Sequence, residues 1–96
     1  MLDHFCAALE AVNPARDCYR AYRIEAGTDL LGDWLVEITF GRIGRAGHRV
    51  RYCVPSEGAA QKLVNATLAK RASAKRRIGV EYQCRKLNDP KGWVRA

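Results

Sequence analysis

The chain has 96 residues, 48% of them hydrophobic, and a formal net charge of +7 at neutral pH. That is room for one domain with a single core, and the apolar content is that of a chain that folds. No apolar run approaches the ~18 residues of a membrane span, and the start, Met1-Leu2-Asp3-His4, lacks both the basic and the apolar region of a signal peptide, so a cytoplasmic protein is expected.

The charge is unevenly placed. Residues 1–40 carry 3 Lys/Arg against 7 Asp/Glu, a net of −4, whereas residues 41–96 carry 14 against 3, a net of +11. A basic half on an otherwise acidic chain points to an anionic partner, most commonly nucleic acid; some of these cations also serve solubility or cap a helix. Four cysteines stand at 6, 18, 53 and 84 with no Cys-x-x-Cys pair, and His4 and His48 join no ligand cluster. Reduced, mostly buried thiols and no metal or other cofactor are expected.

In chain order, Leu2, Phe5, Cys6, Leu9 and Val12 fall at helical spacing, with Asp3 as a candidate N-cap. The spacing predicts a short N-terminal helix over residues 1–13, ended by Asn13-Pro14 and packed on the body or on a second copy. Cys18 to Glu25 reads as a strand, and residues 26–33 as a loop whose apolar pair, Leu30-Leu31, must tuck in. Trp34, Val36, Ile38 and Phe40 form one face of the clearest alternating segment, and His48 to Val54 alternates again. These two strands are expected to be antiparallel neighbours. Ser56 caps a helix predicted over 56–74, with the stripe Ala60, Leu63, Val64, Thr67, Leu68 laid on the sheet. Val80 to Leu87 reads as a last strand, and 89–96 as a tail in which Trp93 docks on the body or on a partner. The fold expected is α+β: an N-terminal helix, then a domain over 14–88 in which about four antiparallel strands are crossed by one long helix.

Between the two alternating strands lies Phe40-Gly41-Arg42-Ile43-Gly44-Arg45-Ala46-Gly47-His48-Arg49. Glycines let another backbone or a ligand's phosphate come close, and arginines supply a planar fork of donors suited to phosphate. A basic, solvated hairpin loop is the plainer reading of the same residues. A second cluster is Lys70-Arg71 and Lys75-Arg76-Arg77, five cations in eight residues. A helix C-terminus favours one or two of these through its partial negative charge, not all five. If the helix runs the right way over the sheet, the two clusters share one basic face. No Ser-His-Asp set, carboxylate pair, dinucleotide fingerprint or P-loop is present, so a non-catalytic role is expected.

The chain resembles a WGR domain, a module found in poly(ADP-ribose) polymerases and in small bacterial proteins. The similarity runs through Asn13-Pro14-Ala15-Arg16-Asp17 with Tyr19 and Tyr22, through Asp29-Leu30-Leu31-Gly32 with Trp34, and through Phe40 to Gly47, which resembles Trp-Gly-Arg-Ile-Gly-x-x-Gly; it spans about residues 13–82. The resemblance implies a mainly antiparallel sheet crossed by one helix, and DNA contact near strand breaks through the positions held here by Phe40 and Arg42. Phe40 stands where the motif has tryptophan, which reduces stacking area and removes an indole donor.

The expected function is thus a nucleic-acid-binding module for duplex or broken-end DNA. The expected contacts are Phe40, Gly41, Arg42, Gly44, Arg45, Gly47, Arg49, Lys75, Arg76 and Arg77. The alternatives are a protein-interaction module, for example a homodimer built on the N-terminal helix and Trp93, and a binder of a small anionic nucleotide in the glycine turn.

Overall fold

The computed structural model describes residues 2–73 and 79–94. Five antiparallel strands form one sheet: β1 (Leu2–Asn13), β2 (Cys18–Thr28), β3 (Trp34–Arg42), β4 (His48–Val54) and β5 (Gln83–Asn88), in the spatial order β4-β3-β2-β1-β5. One helix, α1 (Glu57–Ala72), crosses a single face. Among the described residues no helix is long and apolar enough to cross a membrane.

The N-terminal segment is a strand, which overturns the expected helix. β1 pairs with β2 from Leu2↔Thr28 to Asn13↔Cys18 and with β5 on its other side. Phe5, Ala7, Leu9 and Ala11 are all buried and share a face by strand alternation. The alanines carry this period so weakly that the bulkier residues suggested a helical spacing instead. Pairing on both edges then decides the conformation, since tertiary contacts outweigh local propensity. Asn13-Pro14 is accordingly not a helix end. Asn13 Oδ1 accepts a hydrogen bond from Ala15 N at 3.1 Å, Pro14–Arg16 make one 3-10 turn, and Asp17 at φ 49° closes the link to β2.

The expected parts elsewhere are present with adjusted ends. β3 and β4 are antiparallel neighbours, paired from Trp34↔Val54 to Phe40↔His48. Ser56 caps α1 by accepting from Ala59 N at 3.2 Å, and Ala60 and Val64 are fully buried against Phe5, Leu9, Ile24, Val36 and Ile38. Trp93 is only 4% exposed, stacked on Phe5 at 5.8 Å. Asp89 holds it there, accepting from Trp93 N at 2.8 Å and Val94 N at 2.9 Å, while Asn65 Nδ2 donates to Trp93 O at 3.2 Å. Both surfaces expected to build a homodimer, the N-terminal segment and Trp93, are therefore used inside the fold.

Leu30 and Leu31 do not tuck in; both are almost wholly exposed. Their loop is ordered by polar contacts, with Asp29 Oδ1 accepting from Leu31 N and Asp33 N, each at 2.9 Å. Cys6 is buried, but Cys53 and Cys84 are exposed free thiols, which corrects the expectation of mostly buried cysteines.

The sheet face away from α1 is covered by ion pairs. Glu37, with a side chain 9% exposed, is held by Arg49 at 3.1 Å and Arg51 at 2.9 Å. Arg85 pairs with Glu10 and Arg23 with Glu25, each at 3.2 Å.

Candidate nucleic-acid interface

The glycine-arginine turn closes on itself. Gly47 has φ 72°, and a Cβ there would stand 2.4 Å from Phe40 O; a Cβ on Gly41 would stand 2.8 Å from the Gly47 Cα. These two glycines let the strands of the hairpin meet, so the close approach they permit is between two stretches of this chain. Gly44 instead faces open space at φ 84°, at the tip. Arg45 N donates to Arg42 O at 3.0 Å and Ile43 N to Tyr19 O at 2.9 Å, which ties the turn to β2.

Strand alternation separates the expected contact residues. Phe40 and Arg42 pair with Tyr22 and Arg20 on the face that carries α1. Arg49 is on the other face, bound to Glu37. Arg45 lines a shallow cavity of about 220 Å³ with Ala21, Thr39 and Arg85. Lys75, Arg76 and Arg77 lie outside the described residues.

The larger concavity, about 540 Å³, opens on the α1 face where the β1–β2 and β3–β4 turns lie side by side. Arg71, from the last turn of α1, reaches the same cleft as Phe40 and Arg42, so the helix end and the glycine-arginine turn do converge. Arg16, Arg20 and Tyr19 come from the β1–β2 link and β2, and Tyr82 from just before β5. Four arginines face a single carboxylate, Asp17, which pairs with Arg42 at 3.3 Å while being largely exposed itself.

Aromatic rings form the floor. Tyr82, Tyr22, Phe40 and His48 make a row across the end of the sheet, with successive centroids 6.2, 6.1 and 5.7 Å apart. Guanidinium groups lie on rings at both sides: Arg71 over Tyr22 at 4.6 Å and Tyr82 at 5.9 Å, and Arg42 over Tyr19 at 4.9 Å. Such cation–π contacts help to hold a charge in place; Arg42 is held by Asp17 as well. Arg71 Nε is buried with no hydrogen-bond partner. Burial pushes the Tyr22 hydroxyl pKa up, partly opposed by the Arg71 charge. Arg16 packs against glycine backbone, where a Cβ on Gly79 would lie 2.7 Å from its Nη1.

The sequence reading missed Arg16, Tyr19, Arg20, Tyr22, Arg71 and Tyr82 as one group. The available signal was the alternation of Arg20, Tyr22 and Ile24, which puts the first two on the face of Phe40 and Arg42 once β2 and β3 are paired in register. Among the described residues no group of three or more His, Cys, Asp or Glu side chains is arranged to hold a metal ion. No family model matches the sequence, and no curated protein or solved structure matches it significantly.

Proposed function

We propose that this protein is a non-catalytic nucleic-acid-binding module of WGR type that binds DNA through phosphate contacts at the arginine-lined cleft. The observation that carries the reading is the convergence of Arg16, Arg20, Arg42 and Arg71 on one concavity, with Asp17 the one carboxylate among the described residues that line it. Guanidinium forks fit phosphate oxygens, and phosphate contacts position a nucleic acid without reading its sequence. Among the described residues no element suited to reading base edges in a groove accompanies them, so selectivity would come from the form of the nucleic acid. Compared with the expected contact set, this reading keeps Phe40, Gly41 and Arg42 and moves the weight from Arg45 and Arg49 to the residues around Arg71.

A titration against blunt, nicked, 5′-phosphorylated and closed-circular duplex tests it. Binding that weakens steeply with salt supports the reading, and no binding to any of them at 50 mM salt contradicts it.

The second reading, a protein-interaction module, has one observation in its favour: Leu30 and Leu31 stand exposed on a loop that Asp29 has already ordered. An ordered loop loses little conformational freedom on docking. Leu30→Ser with Leu31→Ser would abolish such binding without changing affinity for DNA.

A further inference from the structure

We propose that the free edge of β4 takes an extended acidic peptide segment as an added strand, its carboxylates toward Arg49 and Arg51 and its alternate apolar side chains toward Val50 and Tyr52. β4 is an outer strand of the sheet, so alternate backbone N–H and C=O groups point away from β3. All of its residues are exposed except Val54, which is half-buried. The proposal does not depend on the nucleic-acid reading.

An open edge is a template for another strand, and proteins commonly guard it with a bulge, a lysine or a proline. β5, at the other edge, is guarded in this way: its register against β1 steps from Cys84 to Lys86, with Arg85 and Lys86 at the irregularity. β4 carries none of these devices. It runs in unbroken register with β3 from Val54 to His48 and holds neither lysine nor proline. Its two arginines reach back over the sheet to Glu37 on β3, at 3.1 and 2.9 Å, and so do not project across the edge.

The two faces of the edge define the occupant. On the α1 face Val50 and Tyr52 are 37% and 44% exposed, side chains of a kind that pack across strands. On the other face Arg49 and Arg51 share one carboxylate, so the group keeps a net positive charge. A strand laid beside β4 sends its side chains alternately to these two faces. The complement is therefore a segment in which acidic and apolar residues alternate. A second copy of β4 fits poorly: laid antiparallel over the whole strand, it sets Arg51 directly against its own copy, and like charges so placed are destabilising. In strand addition the backbone hydrogen bonds supply affinity and the alternating side chains specificity.

The test uses the full chain and labelled, end-capped peptides as long as β4, read by fluorescence anisotropy. The probe is Val-Glu-Ile-Glu-Tyr-Glu-Val. The control, Glu-Glu-Glu-Val-Ile-Tyr-Val, has the same composition and charge without the alternation. The probe is expected to bind about tenfold or more tighter than the control. Two further probes carry backbone N-methyl groups, one on its glutamates and the other on Ile, Tyr and the final Val. Only one of these sets faces β4, so one methylated peptide is expected to lose about tenfold or more, the scale of two hydrogen bonds, while the other binds like its parent. Val50→Lys adds a positive charge but removes an apolar contact, and is expected to weaken binding of the probe about threefold or more. A thermal melt establishes that this variant is folded, and the methylated pair decides the question on the wild-type protein in either case. A control that binds as tightly as the probe overturns the inference. So do methylated peptides that lose affinity equally or not at all, tighter binding to Val50→Lys, or no binding of the probe at about 1 mM. DNA affinity, read by the titration above, stands or falls separately.

Discussion

Arg71, in the last turn of α1, lies with its guanidinium carbon 4.6 Å from the centre of the Tyr22 ring on β2. This contact ties the end of the helix to the sheet and carries a positive charge to the middle of the cleft. The charge favours the ionised form of Tyr22, whereas burial, the larger effect, disfavours it and raises the pKa. Arg71→Gln keeps a long polar side chain and removes the charge. It should raise the Tyr22 pKa further, seen in an alkaline absorbance titration, and destabilise the fold by about 1 kcal/mol, the scale of a partly desolvated cation–π contact. A Tyr22 pKa that falls in this variant would contradict the assignment.

The raised Tyr22 pKa also sets a pH dependence. Because the folded state holds this proton more tightly than the unfolded chain, the protein retains the associated stability below the ordinary tyrosine value of about 10 and loses it as pH rises through the folded value. Tyr22→Phe should remove that part of the alkaline decline. Denaturant titrations at neutral pH and above pH ~10 measure it, and parallel curves for wild type and variant would show that Tyr22 contributes nothing.

The hairpin glycines should respond unequally to alanine. Gly47→Ala meets Phe40 O at 2.4 Å in a left-handed backbone and should cost about 2–3 kcal/mol. Gly44→Ala, facing open space, should cost only about 1 kcal/mol from its backbone conformation. Equal losses in chemical denaturation would mean that the turn is not closed as described.

Much of this architecture was legible because certain residues carry unambiguous patterns. Trp34, Val36 and Ile38 alternate strongly enough to place β3, and Ser56 with the stripe through Ala60 and Val64 places α1. Trp93 was legible as a docked residue because an exposed indole in a tail is unfavourable. β1 was not legible, since Ala7 and Ala11 bury little area and contribute little to any period, and its two-sided pairing depends on β5 some 75 residues away. The cleft was half legible. Phe40 and Arg42 announce themselves in sequence, but Tyr22, Arg71 and Tyr82 meet only because α1 runs with its C-terminus toward the glycine-arginine turn, a direction that no local pattern encodes.

The docking of Phe5 against Trp93 gives a test of the corrected N-terminus. Phe5 is fully buried and stacked on Trp93, so Phe5→Ala should cost about 3–5 kcal/mol. Combined with Trp93→Ala, the loss should fall short of the sum of the two single losses by about 0.5–1.5 kcal/mol, as for an aromatic pair in contact. Strict additivity would place the N-terminal segment away from Trp93.

The central claim is that nucleic acid is held at the cleft on the α1 face, and the salt dependence of affinity for a DNA probe tests it most directly. With about four phosphate contacts, log K against log salt should have a slope near −3.6 for wild type, and loss of one contact in Arg42→Ala should bring it to about −2.7. Affinity in that variant should drop by about 1–3 kcal/mol, the range of a charge-assisted contact. Its stability should hardly change, because the pair with Asp17 is exposed. Arg49→Ala, on the opposite face and bound to Glu37, should keep the wild-type slope. An Arg42→Ala protein with wild-type affinity and slope, or an Arg49→Ala protein with the greater loss, would contradict the account.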